Sequence, residues 1–317
     1  MFEPAEAMLY ADGPVRSPAE LSLVGERRRG HGSVYAALAR GEVDTEGHHR
    51  LAASGSPHLA AADPVPHLRA EQGSARDGPG WPCSIVVALK TGRGSWTAPL
   101  DAVRLAPGDD AATVTAAQLR RVVGALVEFG HHRPDDPDIL IVADAGYDGP
   151  RLAFLLAGLP VAVLVRMRSD RVLRRATLPR PPGTWGRPRR HGDEFVFGDP
   201  AARGTPQVRS RTRIRLYALA RVRARDRLHP RLPHRSAWAA GEDGLPIIEG
   251  AVIRLQVQRL PSGAIPKPVW LWHSNVDLDT GEVDRCWQAF LRRFDIEHTF
   301  RMLKQTLGRT HPKIHDP

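Results

Sequence analysis

Two acids in this chain stand where chemistry could be done. The first is Glu297, in the stretch FLRRFDIEHTFRMLKQTLG (Phe290 to Gly308), where Arg292, Arg293, Arg301 and Lys304 ring it. A helix turns by about 100° per residue. On that wheel Ile296, Phe300, Leu303 and Leu307 form one apolar stripe. Phe290, Arg293, Glu297, Arg301 and Lys304 form the adjoining stripe, and Gly308 is a good stop. The acid therefore sits at the edge of a buried face. One chemistry for it is a solvated face with i,i+4 ion pairs worth a few tenths of a kcal/mol each. The other is a carboxylate held against a metal ion and a phosphate backbone. The second acid is Asp144, which ends the continuous apolar run Ile139 to Ala143 and is followed by Ala145-Gly146-Tyr147. A strand apolar at every position is covered on both faces, and in α/β sheets sites form beyond the carboxyl ends of such strands. Asp148 is the better cap for the helix that begins GPRLAF.

The elements that must position these acids can be read outward from Trp81. CSIVVALK reads as a strand, GRGS as a turn and WTAPLDAVRL as a second strand, together a hairpin. DAATVTAAQLRRVVGALVEFG is a long amphipathic helix. PDILIVADAGYDG is the buried strand with its acid, PRLAFLLAGL a helix and VAVLVRMR another buried strand, so a β-α-β unit makes part of the sheet parallel. Residues 171–250 are rich in Pro and Arg with weaker strands (EFVFGD, RIRLYALARVRA). AVIRLQVQRL and PVWLWHSN alternate clearly, and DTGEVDRCWQAFLRRFDIEHTFRMLKQTLG returns to helix. The fold class is α/β: a mixed sheet flanked by helices, with a β-rich insertion at about 171–275 before the Glu-bearing helix. Residues 1–50 read as a small helical region, with Ser17, Pro18 and Glu20 as its start. Residues 51–80 are rich in Ala, Gly, Pro and Ser without a period and read as an irregular or damaged segment. Residues 81–317 form the main domain.

Composition narrows the partners. Among 317 residues there are 45 Lys+Arg against 35 Asp+Glu, a formal charge of +10. Arg presents a fork of donors that matches phosphate, so an Arg-rich protein favours polyanions, nucleic acid first and an anionic membrane surface second. Part of the Arg and Pro excess also fits a GC-rich genome. Only Cys83 and Cys286 are present. That is neither a disulfide framework nor a zinc pattern, and it suits a reducing cytoplasm. The N-terminus lacks a secretory pattern, and the longest apolar run, LAFLLAGLPVAVLV, is too short to cross a bilayer. The chain reads as cytoplasmic, with no membrane partner. The pairs His48-His49 and His131-His132 lack metal spacing and read as surface residues.

ADAGYD on a strand, followed far downstream by FLRRFDIEHTFRMLK, resembles the DDE transposases of bacterial insertion sequences. One large group of these carries the signature Tyr-x2-Arg-x3-Glu-x6-Lys. Phe290, Arg293, Glu297 and Lys304 match its spacing at every position, with Phe in place of Tyr. The resemblance runs from about Trp81 to Lys313 and, more faintly, over Ser17–Asp44. It implies an RNase H-like catalytic domain that performs metal-dependent cleavage and strand transfer in cut-and-paste transposition. It also implies a two-metal Mg²⁺ or Mn²⁺ site held by three carboxylates, here Asp63, Asp144 and Glu297. Asp63, in LAAADPVPHLR, echoes the family's first acid, with Asp77 and Asp101 as weaker alternatives. Arg293, Arg301 and Lys304 would hold DNA phosphates. The basic loop GTWGRPRRHG adds Trp185, Arg187, Arg189 and Arg190 as DNA contacts. The implied partners are transposon ends and target DNA, bound by a homodimer. Relatives usually continue with further helices after the Glu helix, so the resemblance implies a degenerate or truncated copy. Two other readings stay open: an inactive relic that only binds DNA, and another RNase H-like nuclease.

Overall fold

The computed structural model describes residues 83–89, 97–293 with short breaks (180–181, 184, 215–216, 234–235, 237–238, 240–244 and 261–262) and 296–297, and for the backbone alone 67–72. The elements in order are β1 (His67–Gln72), β2 (Cys83–Leu89), β3 (Thr97–Arg104), α1 (Ala111–Glu128), β4 (Ile139–Ala143), α2 (Gly149–Leu155) and β5 (Val161–Met167). There follow β6 (Val172–Arg175), β7 (Glu194–Val196), β8 (Val208–Ile214), β9 (Ala218–His229), β10 (Gly250–Val257), β11 (Val269–His273) and α3 (Thr280–Arg292). The strands form one mixed sheet in the order β3-β2-β1-β4-β5-β11-β10-β9-β6-β7, with β8 also paired to β9. β1 is antiparallel to β2 and parallel to β4, β4 is parallel to β5, and β11 is antiparallel to β5. This mixed α/β arrangement is compatible with an RNase H-like fold. The β-rich insertion joins the same sheet through β11.

The alternation of side chains along a strand explains how the layers form. In β4, Ile139, Ile141 and Ala143 pack beneath α1 and α2 with Leu119, Val123 and Leu152. Leu140 and Val142 point the other way, into a cluster with Val283, Trp287 and Phe290 of α3. All five β4 residues are buried, so a continuous apolar run was needed, and each of the larger side chains contributes roughly 1.5–3 kcal/mol of burial. α1 is fixed at its start by the Asp110 cap, which accepts from Ala112 N at 3.2 Å and from Thr113 Oγ1 at 3.0 Å. Arg151 of α2 also pairs with Asp110. Mid-helix, Gln118 donates to the Ser84 carbonyl of β2 at 3.1 Å. α3 begins with a reciprocal cap in which Glu282 N donates to Asp279 Oδ1 at 2.7 Å and Asp279 N to Glu282 Oε2 at 2.8 Å. That fixed start sets where the helix ends, at Arg292 and Arg293.

The structure corrects two expectations. Residues 51–80 are not irregular throughout, because 67–72 form β1 between β2 and β4. HLRAEQ has little intrinsic strand preference, and pairing on both edges overrides it. Of the helix expected through Glu297, α3 to Arg292 and the helical residues Ile296 and Glu297 are described, and 294–295 and 298–308 lie outside the described residues. His132, expected at the surface, is buried beside the Pro137 carbonyl, its Nε2 at 3.2 Å from that oxygen. The helical region 1–50 lies outside the described residues.

Candidate active site

The acid at the carboxyl end of β4 is where the elements converge. The turn after β4 closes with Tyr147 N donating to the Asp144 carbonyl at 3.1 Å. Asp148 then caps α2 by accepting from Arg151 N at 3.2 Å, as the sequence implies. Gly149 follows because a Cβ there would press on Val165 at 3.0 Å and on the Trp272 ring at 3.2 Å. These contacts hold Asp144 on the rim of the sheet.

Three strands reach the same level of the sheet in their backbone register. Ala70 of β1, Ala143 of β4 and Val165 of β5 are register partners. The next residue on each parallel strand is Glu71, Asp144 and Arg166 respectively. Arg166 Nη1 lies 3.8 Å from Asp144 Oδ1. From the other side α3 delivers Arg293, whose Nη1 lies 2.7 Å from Asp144 Oδ2. Arg293 is only 2% exposed, and its guanidinium stacks 4.5 Å from the centre of the Phe290 ring. The Ala145 N–H donates to Asp144 Oδ1 at 2.7 Å. Burial by itself pushes the Asp144 carboxyl up. The charge and hydrogen bond of Arg293 outweigh it, helped by Ala145 N–H and Arg166, and the net shift is below the usual 3.8. Asp144 is therefore an anion at neutral pH, with a side chain still 35% exposed.

Glu297 is exposed one residue after Ile296. Ile296 is fully buried on β2 against Val87 and Leu89, with Ile85 beside them. Glu71 of β1 is the register partner of that same Ile85. The backbone thus places Glu71 between the Asp144 strand and the strand on which the Glu297 segment rests. Beside Asp144 opens a cleft of about 320 Å³. Tyr147 and Trp272 line it together with Arg166, Arg168, Arg171 and Arg231.

Arg293, expected among the phosphate-binding cations, is buried and pairs with Asp144. The reason is local: its helix position faces the sheet rim, and Phe290 one turn earlier supports the guanidinium from below. Trp185 is 97% exposed, and Arg187, Arg189 and Arg190 are exposed with it between β6 and β7. Asp63, Asp77, Arg301 and Lys304 lie outside the described residues. Asp101, the other alternative for a first acid, is on β3, three strands from β4, where Arg121 Nη2 pairs with it at 3.1 Å. Sequence reasoning missed Glu71 and Arg166. The signal that would have found them is their position one step beyond the residues paired with Ala143, and this needs the strand register.

Asp144 offers a hard oxygen donor of the kind Mg²⁺ or Mn²⁺ requires, ionised and open to solvent, and Glu297, four residues after Arg293 in sequence, is exposed. In that respect the residues fit a divalent cation. Among the described residues, however, no three His, Cys, Asp or Glu side chains gather as a metal cage, and Arg293 covers one oxygen of Asp144. No described helix is long and apolar enough to cross a membrane.

The family described as DDE superfamily endonuclease matches residues 67–231, just over half of the chain. No individual curated protein matches. The matched span opens at β1 and contains Asp144. Domains of this family generally use divalent metals and act on DNA by phosphoryl transfer.

Proposed function

We propose, from the premise that this chain belongs to the DDE superfamily endonucleases, that it is an insertion-sequence transposase of the Tyr-Arg-Glu-Lys type. It would cleave DNA at the element's ends and join them to a target. One observation carries the reading: an acid kept ionised by Arg293, at the carboxyl end of a central parallel strand. The match at Phe290, Arg293, Glu297 and Lys304 supports it. Two divalent ions, when bound, supply Lewis acidity to the scissile phosphate and make water a nucleophile at neutral pH. Asp144 and Glu297 would hold them, with the third carboxylate from Asp63 or Glu71. Asp63 has the family-like string DPVPHLR, whereas Glu71 has the register beside Asp144. Arg293 holds Asp144 in its charged form. Arg301, Lys304 and the loop of Trp185, Arg187, Arg189 and Arg190 would bind phosphates and stack on bases. The working unit on DNA would be a homodimer.

A second reading has its own support. With Arg293 covering one oxygen of Asp144, the chain would be a relic that binds DNA without cutting it. Incubating the full chain with Mg²⁺ or Mn²⁺ and duplex DNA carrying its element's ends separates the two. End-specific cuts, lost in Glu297→Gln, support the transposase. Salt-dependent binding with no cuts by either protein refutes it in favour of the relic. Preference for an RNA–DNA hybrid would point to a different RNase H-like nuclease.

A further inference from the structure

Away from Asp144, strands β8, β9 and β10 carry a pattern that neither the fold nor the proposed chemistry uses. On β8, Arg209, Arg211 and Arg213 alternate with Ser210 and Thr212. On β9, Arg221, Arg223 and Arg225 alternate with Val222 and Ala224. Val222 and Ala224 face the core beneath α3, so by alternation the arginines occupy the opposite face. The register sets like charges directly across from one another: Arg209 opposite Arg223, Arg211 opposite Arg221, and Arg223 opposite Arg254 of β10. Directly opposed like charges destabilise a sheet. Arg209, Arg211, Arg213, Arg221 and Arg223 are exposed, and among the described residues none forms an ion pair with an acid. The core beneath α1 and α2 draws on β2, β4 and β5 and on no residue of β8, β9 or β10.

The inner edge of the patch strengthens the point. Arg225 is 5% exposed and donates to the carbonyls of Arg203 at 2.7 Å and Gly204 at 3.1 Å. Its Nη1 is buried without a hydrogen-bond partner. Burial first, and then Arg203, Arg223, Arg254 and Arg175, push its guanidinium down to about 10. The charges acting on it are all positive. Arg203 and Arg254 stack on Trp270 at 5.2 and 5.6 Å. A sheet face that opposes arginine to arginine, with no acid among them, is built for an anion that comes from outside.

We infer that the arginine face of β8, β9 and β10 is a docking surface for the phosphate backbone of duplex DNA, separate from the Asp144 site. The spacing suits an extended polyanion: alternate residues stand ~6.8 Å apart along a strand and neighbouring strands ~4.8 Å apart. A single small anion would neutralise only part of so wide an array. The contacts go to phosphates, so the surface binds without sequence preference. This rests on the reading of the chain as a DNA enzyme, and the test keeps the two apart.

The test is DNA affinity of the full chain against salt concentration, without divalent metal so that nothing is cut. The variants are Arg209→Gln/Arg211→Gln/Arg213→Gln and, separately, Arg221→Gln/Arg223→Gln. Each lost phosphate contact lowers the slope of log K against log salt by about 0.9. The triple variant is expected to lose 2–3 units of slope and bind at least tenfold more weakly near 0.1 M salt. Its melting temperature without DNA should hold or rise, because like-charge opposition is relieved. Removing three charges elsewhere, as Arg104→Gln/Arg133→Gln/Lys267→Gln, should leave the slope unchanged. Equal slopes for the parent and both β8/β9 variants overturn the surface but leave the DNA function standing. An equal loss in the control overturns it too, since net charge alone would explain the effect. Absence of any DNA binding by the parent overturns both. Tighter binding to vesicles of anionic lipid than to duplex DNA replaces DNA with a membrane as the partner.

Discussion

Replacing Arg293 with Met tests the pairing on which the site depends. Arg293 Nη1 lies 2.7 Å from Asp144 Oδ2, and the Asp144 side chain is 35% exposed. Solvent on one side puts the effective dielectric constant between surface and bulk values, at about 40, so the attraction is roughly 3 kcal/mol. The stack on Phe290 adds ~1 kcal/mol. Relieving the desolvation of a buried guanidinium returns about 2 kcal/mol. Arg293→Met is therefore expected to destabilise the protein by about 2 kcal/mol at pH 7. The pH dependence gives the second check. The folded Asp144 carboxyl lies below its usual 3.8, so its stabilising contribution is present above pH 3.8 and lost as pH falls through the lowered folded value. In the variant burial governs the carboxyl and pushes it up. Urea unfolding of parent and variant at pH 7, 5, 4 and 3 measures the difference. It should be full at pH 7 and shrink below pH 4. A difference under about 0.5 kcal/mol at pH 7, or one unchanged between pH 7 and pH 3, would refute the pairing.

Other outcomes follow from the same structure. Glu71→Gln should weaken Mn²⁺ binding measured by electron paramagnetic resonance if Glu71 is the third ligand; loss in Asp63→Asn and not in Glu71→Gln would assign that role to Asp63. Burial pushes the Cys286 thiol up to about 12, whereas Cys83 is partly exposed, so iodoacetamide at pH 8 should label Cys83 alone until the protein is unfolded. Burial depresses His273 to about 4 from 6.5, so its contribution is full above pH 6.5 and lost as pH falls toward 4, on the order of 3 kcal/mol; stability curves of the parent and His273→Gln should converge over that window. At Gly250 an added Cβ would collide with the His273 carbonyl oxygen and the Trp272 indole, so Gly250→Ala should destabilise by about 1–3 kcal/mol in urea.

The parts of the fold that were legible in sequence are those with a strong local signal. β4 and β5 are apolar at nearly every position because both faces are covered, and α1 shows a helical stripe behind its Asp110 cap. The antiparallel pair β2 and β3 also stands out, as two strand-like segments in sequence. β1 was not legible. Its residues HLRAEQ form a strand only because β2 and β4 pair with both edges, and pairing is a tertiary fact that local propensity does not encode. The site divides the same way. Asp144 announces itself at the end of a buried strand. The contact of Arg293 with Asp144 does not, because a helical wheel shows which residues share a face but not what that face meets. The position of Glu71 beside the Asp144 strand was hidden twice, by its weak strand and by a register readable only once β1 is paired with β4. The arginines of β8 and β9 were visible as composition, and only their cross-strand opposition gives them meaning.

In the proposed function Asp144 anchors a metal-dependent DNA-cutting site. The most direct measurement is nicking of supercoiled plasmid by the full chain in Mg²⁺ or Mn²⁺, with Asp144→Asn and a chelator control alongside. Nicking by the parent that disappears both in Asp144→Asn and on chelation is the predicted result. Equal nicking by parent and Asp144→Asn, or none by the parent while DNA stays bound, would contradict it.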